Sequence, residues 1–535
     1  MKKYFLQYII CCFILLGLSA CSKLDQTPVD RLSDETVWKD PKLIQLYVAD
    51  IYANLGIGFD LLSDDTSPLA CITDEARGSY SWLGANINVI NGAFSSVNAP
   101  LNNWTNAYKS IRKANIFFKK IADVKMADDD KNNLIGQVKF LRAFYYFELV
   151  KRFGGVPLIT EAQSLESDLM VKRATEADTY AFITKELGDA ANLLPAGAPG
   201  GLASKWAAKA LQGRVLLYAQ QWADAAAASL EVIEKGGYNL SNDYAGLFTT
   251  KQHPSEESIF EIQYLDPART SSYDGINVPY FDNPGNYTSC TLPTQELVDD
   301  YEMQATGLAI NMPGSGYQAD HPYQGRDPRF YASILFEGAP WKGRTIQTRV
   351  DGTDGIVDRN SNEDRTKTGY YVRKYLDEKL PLEKIFSSTQ SWVELRLAEV
   401  MLNYAEAINE AEGPVKAKIY IDKIRQRAGM PVINDGLSKE AMRNLIRHER
   451  KIELAFENHR YWDLRRWRIA TDVLNGKVFH GMKITLNNGV YKYERVEADL
   501  GASSPRVFTD KYYYLPIPKG EIEKNPNLEQ NKDWN

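Results

Sequence analysis

Five histidines, His253, His321, His448, His459 and His480, set the limits on metal and general-base chemistry in this 535-residue chain. His448 and His459 share one helical block, but Arg447, Arg450, Lys451 and Arg460 crowd them. Such neighbours oppose a bound cation, and no His pair has ligand spacing. Asp358, Asn360 and Asn362 repeat the one-three-five oxygens of a calcium loop. Glu363 stands where the loop needs glycine and Gly369 where it needs a bidentate Glu, so the EF-hand pattern fails. The spacing leaves open only a looser calcium site among Asp351, Asp354 and Asp358, against a solvated acidic turn. No phosphate loop, nucleophile elbow or C-x-x-C pair occurs. A glycosidase needs two carboxylates at a defined separation, which sequence does not show across helical repeats. No catalytic residue, cofactor or metal is assigned.

The elements that would position a site are mostly helical. Between Ser391 and Arg468, Leu395, Ala398, Leu402 and Ala405 recur at helical steps, and Glu412-Gly413-Pro414 breaks the run. A second run, Ile419 to Arg427, stops before Gly429 and Pro431. Helices are also predicted over 104–124, 129–153 and 176–194. In the stretch after Ser204, Gly213, Trp222 and Ala225 fall where a tetratricopeptide repeat sets small, aromatic and small residues. The expected fold is therefore mainly α, a tetratricopeptide-like scaffold of helical hairpins. It carries a loop-rich irregular half with a few short strands, including SIFEIQY and RTIQTRV. Arg447, Arg450, Glu453, Glu457, Arg460, Asp463 and Arg466 lie at three- and four-residue offsets, a pattern that laces helices with ion pairs.

Composition excludes further classes. A net charge of −6 opposes nucleic-acid binding. Lys2 and Lys3, the apolar run Ile9–Leu18 and Leu18-Ser19-Ala20-Cys21 read as a lipoprotein signal over 1–20. Cys21 is then the acylated anchor, with a tether over 21–33 and one domain over 34–535. The scaffold is placed at about 34–55, 103–236 and 391–475. The loop-rich segments are placed at about 56–102, 238–390 and 476–535. Removal of the signal and acylation leave Cys71 and Cys290, too few for a disulfide framework.

Several stretches, in order along the chain, resemble one family. They are Cys21 with Leu24-Asp25 and Pro28, LRAFYYFELVKRFGGVPLI, AAKALQGRVLLYAQQWADA, Asp327-Pro328-Arg329, Thr368-Gly369-Tyr370, the 392–467 block and LPIPKGEIEKNPNLEQN. Together they resemble the SusD/RagB family of Bacteroidetes surface glycan-binding lipoproteins. The resemblance implies an outer-membrane, cell-surface, lipid-anchored protein. It would capture an oligosaccharide and pass it, uncleaved, to a SusC-like TonB-dependent transporter. Some relatives handle peptides, so a peptide- or protein-binding adaptor and a surface glycosidase are the alternatives.

Sugar rings pack C–H faces on aromatic rings while polar side chains take the hydroxyls. On that basis Tyr80 and Trp82 are expected as platforms, with Asp74, Arg77 and Asn86 as polar partners. The competing placement of Trp82 is the core. Tyr273, Tyr280 and Tyr287 form a second candidate set.

Overall fold

The computed structural model describes residues 34–55, 58–60, 69–79, 84–249, 255–285, 288–361, 363–499 and 505–534. Helix starts follow local chemistry. Helix α1, Pro41–Ala53, places Pro at its first turn, and the Asp40 side chain accepts from the Lys42 amide. Next come α2, Trp104–Ile121, and α3, Asp128–Phe153. Asp128, Asp129 and Asp130 open α3 and Lys151 and Arg152 close it, which matches both ends of the helix dipole. Thr175 caps α4, Glu176–Leu193, and Ser204 caps α5, Lys205–Tyr218. Helix α6, Trp222–Lys235, follows after a short turn.

These helices stack each on the next, and α6 then packs on α7, Leu397–Ala411, far along the chain. The irregular segment between them is an insertion into one helical array. A Cβ on Gly213 would sit 2.7 Å from Ser229 Oγ, so the small residue lets α5 and α6 close together. The array continues through α8, Pro414–Arg427, and α9, Lys439–Glu453, and a short helix α10, Arg460–Arg466, turns back onto it. Pro414 is the first helical residue of α8, so the Glu412-Gly413-Pro414 break starts a helix as well as ending one.

One expectation needs correcting. Leu395 does not belong to a helix, because Trp392–Arg396 is a strand that leads directly into α7. Its residues pair antiparallel with Ser258–Ile262, the SIFEI part of the anticipated strand, from Ser258↔Arg396 to Ile262↔Trp392. Two-residue β1, Ala76–Arg77, likewise pairs with β3, Leu292–Pro293, where β2 denotes Ser258–Ile262. With Trp392–Arg396 as β4, a hairpin of β5, His480–Asn487, and β6, Val490–Glu497, completes the main strands. Asn488 and Gly489 form its turn, both with positive φ, as a two-residue hairpin demands. This hairpin lies in the segment read as irregular.

The charged block is internal. Glu453 is fully buried and receives Arg396 Nη1 at 2.7 Å, Arg329 Nη1 at 2.9 Å and Arg427 Nη2. Arg450 holds Asp463 through Nε at 3.0 Å, and Arg466 holds both Asp463 and Glu406. The expected ion-pair lacing exists, yet apart from Asp463–Arg466 at i,i+3 it runs between elements rather than along one helix surface. The paired charges persist in the interior because each is also hydrogen-bonded, while Arg447 of the same block stands over Trp467, 5.0 Å from its ring centre, with no carboxylate partner among the described residues.

Candidate functional site

The 69–79 segment is held in the interior. A 3-10 turn over Leu69–Ile72 and strand β1 pack it under the loop-rich half. Asp74 is only 5% exposed. Its carboxylate accepts Arg460 Nε and Nη2, both at 2.8 Å, and Lys451 Nζ at 2.7 Å. Burial alone would raise its pKa, but Arg460 and Lys451 outweigh that and hold it well below the usual range. Arg77 is equally enclosed, donating from Nε to Gly78 O at 2.7 Å and from Nη1 to Ala498 O. Burial lowers its pKa to about 9. Neither side chain is placed to meet a sugar hydroxyl, which corrects the expectation for both. Apart from Gly78, their partners lie hundreds of residues away, beyond any local spacing rule.

Tyr273 also belongs to the core. Its ring lies 4.7 Å from that of Phe59 and 6.2 Å from that of Tyr375, in a buried aromatic cluster with Trp392. Tyr80, Trp82, Tyr287 and Cys21 lie outside the described residues. Asn86 is part of the helix Gly84–Asn91, and its side chain lies outside the described set.

Tyr280 is half-buried, and the Arg365 guanidinium sits 4.9 Å from its ring centre. The next residue, Phe281, is the more open platform. It is 54% exposed, with the Arg344 guanidinium 4.9 Å from its ring centre. Arg344 is fixed from both sides, by Asp282 at 3.2 Å and by Asp354 at 2.7 Å. Asp282 also accepts from Trp341 Nε1 at 2.6 Å. The result is a firmly backed aromatic surface in a Pro-, Gly- and Asn-rich loop. Phe281 falls outside the regular spacing of Tyr273, Tyr280 and Tyr287, so spacing does not single it out. The pair Tyr280-Phe281, directly after Pro279 in such a loop, was the available signal.

The same geometry disposes of the looser calcium site, since both Asp354 oxygens face Arg344. Among the described residues no three His, Cys, Asp or Glu side chains gather as metal ligands. Burial raises the pKa of four carboxyls among the described residues: Asp299 and Glu394, which are held by Arg495 and Arg214, and the more enclosed pair Glu75, to about 8, and Asp274, to about 6. Both are 1% exposed, so neither reaches a substrate as a general acid.

Residues 256–534, just over half of the chain, match the model of the SusD family. Residues 48–217 match a model described as starch-binding associating with outer membrane. A SusD-like protein of Formosa agariphila, P25, is 26% identical over 97% of each chain. A solved SusD-like protein from Bacteroides fragilis superposes with a TM-score of 0.82 at 30% identity, covering 95% of this chain and all of its own. Surface glycan-binding protein A from Bacteroides thetaiotaomicron, solved with laminarihexaose, has a TM-score of 0.67 at 21% identity over 92% of this chain and 99% of its own. That last likeness bears on the fold alone. The matched segments and the shared fold agree, and the chain belongs to the SusD family.

Proposed function

We propose that this protein is a non-catalytic glycan receptor. It binds an oligosaccharide on the Tyr280–Phe281 surface and delivers it to a SusC-like TonB-dependent transporter of the outer membrane. The observation that carries the reading is the exposed Phe281 ring, backed by an arginine clamped between two carboxylates. An open aromatic face is suited to the C–H side of a pyranose, and rigid backing limits the entropy lost on binding. The relative solved with laminarihexaose and the starch-binding description of the 48–217 match support a glycan as ligand. The outer-membrane part of that description supports an envelope location, with acylated Cys21 as anchor. Tyr80 and Trp82, in the chain between β1 and the helix Gly84–Asn91, are proposed to extend the platform.

Affinity electrophoresis of the lipid-free chain against a polysaccharide panel tests the reading. Retardation by at least one glycan, lost in Phe281→Ala at unchanged melting temperature, is the expected result. Retention of full retardation in Phe281→Ala would move the site elsewhere. Release of reducing ends by the pure protein would overturn the non-catalytic assignment.

A further inference from the structure

A cavity among the helices shares no lining residue with the Tyr280–Phe281 surface. It has a volume of about 430 Å³ and is lined by the end of α3, the start of α4, the end of α5, α10 and the segment Tyr513–Tyr514. That size falls within the range of small-molecule sites, about 300–1,000 Å³. Its walls are aromatic: Tyr180, Tyr218, Trp462, Tyr513 and Tyr514.

Its charges are only partly offset by carboxylates. Arg466 is answered by Glu406 and Asp463, and Lys151 by Glu148. Arg465 is 5% exposed yet has no carboxylate partner among the described residues. It donates to Tyr461 Oη at 2.6 Å and to Tyr513 O, and its Nε–H is left without an acceptor. Arg468, exposed at the rim, donates to Tyr514 Oη at 3.3 Å and likewise lacks a carboxylate among the described residues. The one carboxylate on the cavity wall, Glu176, accepts from Tyr514 Oη at 2.7 Å. Arg465 therefore lines the cavity with no carboxylate among the described residues to offset its charge, and an anion there would supply one. Lys151, lowered to about 8 chiefly by burial, would also gain from a nearby anion.

We propose that this cavity is a second ligand site, for a sugar bearing a carboxylate or sulfate group. The oxyanion sits between Arg465 and Arg468 and the ring packs on the tyrosine walls. Planar guanidinium groups suit such oxyanions, and aromatic walls suit the ring. A neighbouring cavity of about 640 Å³ shares Arg468, Tyr513 and Tyr514 with the first and adds Thr471, Asn531, two lysines and three aspartates. It gives the remainder of a longer glycan a polar path outward from its charged end.

The test is calorimetric titration of the lipid-free chain with glucuronate, glucose 6-sulfate, glucose and inorganic sulfate. Glucuronate or glucose 6-sulfate should bind, while glucose and inorganic sulfate bind at least about tenfold more weakly. Arg468→Gln, at an exposed position, should weaken the charged sugar by about tenfold at unchanged melting temperature. Tyr514→Phe, which removes the hydroxyl shared by Glu176 and Arg468, should also shift the affinity. Phe281→Ala should leave this binding intact, so failure of the loop site and failure of this one are read separately. Equal binding of glucose, equal binding of inorganic sulfate, no binding by either charged sugar, or an unchanged affinity in Arg468→Gln would each overturn the proposal.

Discussion

Asp74 offers the sharpest test of the structural reasoning, because its sequence context and its structure assign it different work. In Asp74→Asn the side chain keeps its shape but loses its charge. Lys451 retains Asp300 Oδ2 at 2.5 Å, so the loss falls mainly on Arg460, whose carboxylate contacts are both to Asp74. Removing one partner of a buried pair costs about 3–5 kcal/mol, and the surviving Lys451–Asp300 pair puts this case near the low end, at about 3 kcal/mol. Unfolding entropy of about 2.1 cal/mol/K per residue, over roughly 500 folded residues, gives about 1 kcal/mol per degree. A chain melting as one unit should therefore lose about 3 °C in Tm, measured by calorimetry. Amides of 69–79 should also exchange faster, since the pair ties that segment to α9 and α10. The pH dependence has a fixed sign. The folded pKa is depressed, so the contribution is complete above the unfolded value of about 3.9 and fades as pH falls towards the folded value. The gap in Tm between the two proteins should thus narrow below about pH 4. Unchanged Tm at pH 7 combined with weakened glycan binding would refute the anchoring role and restore Asp74 as a ligand contact.

Two further outcomes follow from the same packing. Glu399 is buried and bidentate with Arg214, at 2.7 Å and 2.6 Å; burial would raise its pKa, but Arg214 prevails and brings it to about 2. Its contribution is whole above the unfolded value and lost as pH falls to about 2, so the Tm deficit of Glu399→Gln should shrink across that window in scanning fluorimetry; a constant deficit would contradict it. In Gly155→Ala the new Cβ would stand 2.0 Å from the Ala174 carbonyl oxygen, a backbone atom that cannot step aside. Denaturant titration should show a loss of about 1–3 kcal/mol. Gly197→Ala, which meets nothing within 4 Å, should be silent, and equal behaviour of the two would count against the close approach.

The helices were legible because their signals are local. The expected spans at 104–124, 129–153 and 176–194 differ from Trp104–Ile121, Asp128–Phe153 and Glu176–Leu193 only at their ends. Periodicity, N-caps and Gly or Pro stops act within a few residues, so the chain itself carries them. That opposite charges of the 392–467 block meet in ion pairs was legible too, but most of those pairs join different elements, which helical spacing does not specify. Leu395 shows the limit: WVELR alternates as a strand as well as it fits a helical stripe, and only pairing with Ser258–Ile262 decides between them.

The ligand surface divides along the same line. Sequence alone determined that aromatic and polar side chains fill Gly-, Asn- and Pro-rich segments carried by a helical frame. It could not determine which of them face water. Asp74 meets Lys451 and Arg460 across 377 and 386 residues, while Tyr273 closes a core with Phe59 and Tyr375. Phe281, one residue from a half-buried tyrosine, stands open. In a helix the side chain's direction follows from its number, through a fixed period. In an irregular segment there is no period, and long-range packing alone settles whether a charge finds an ion partner or a ligand.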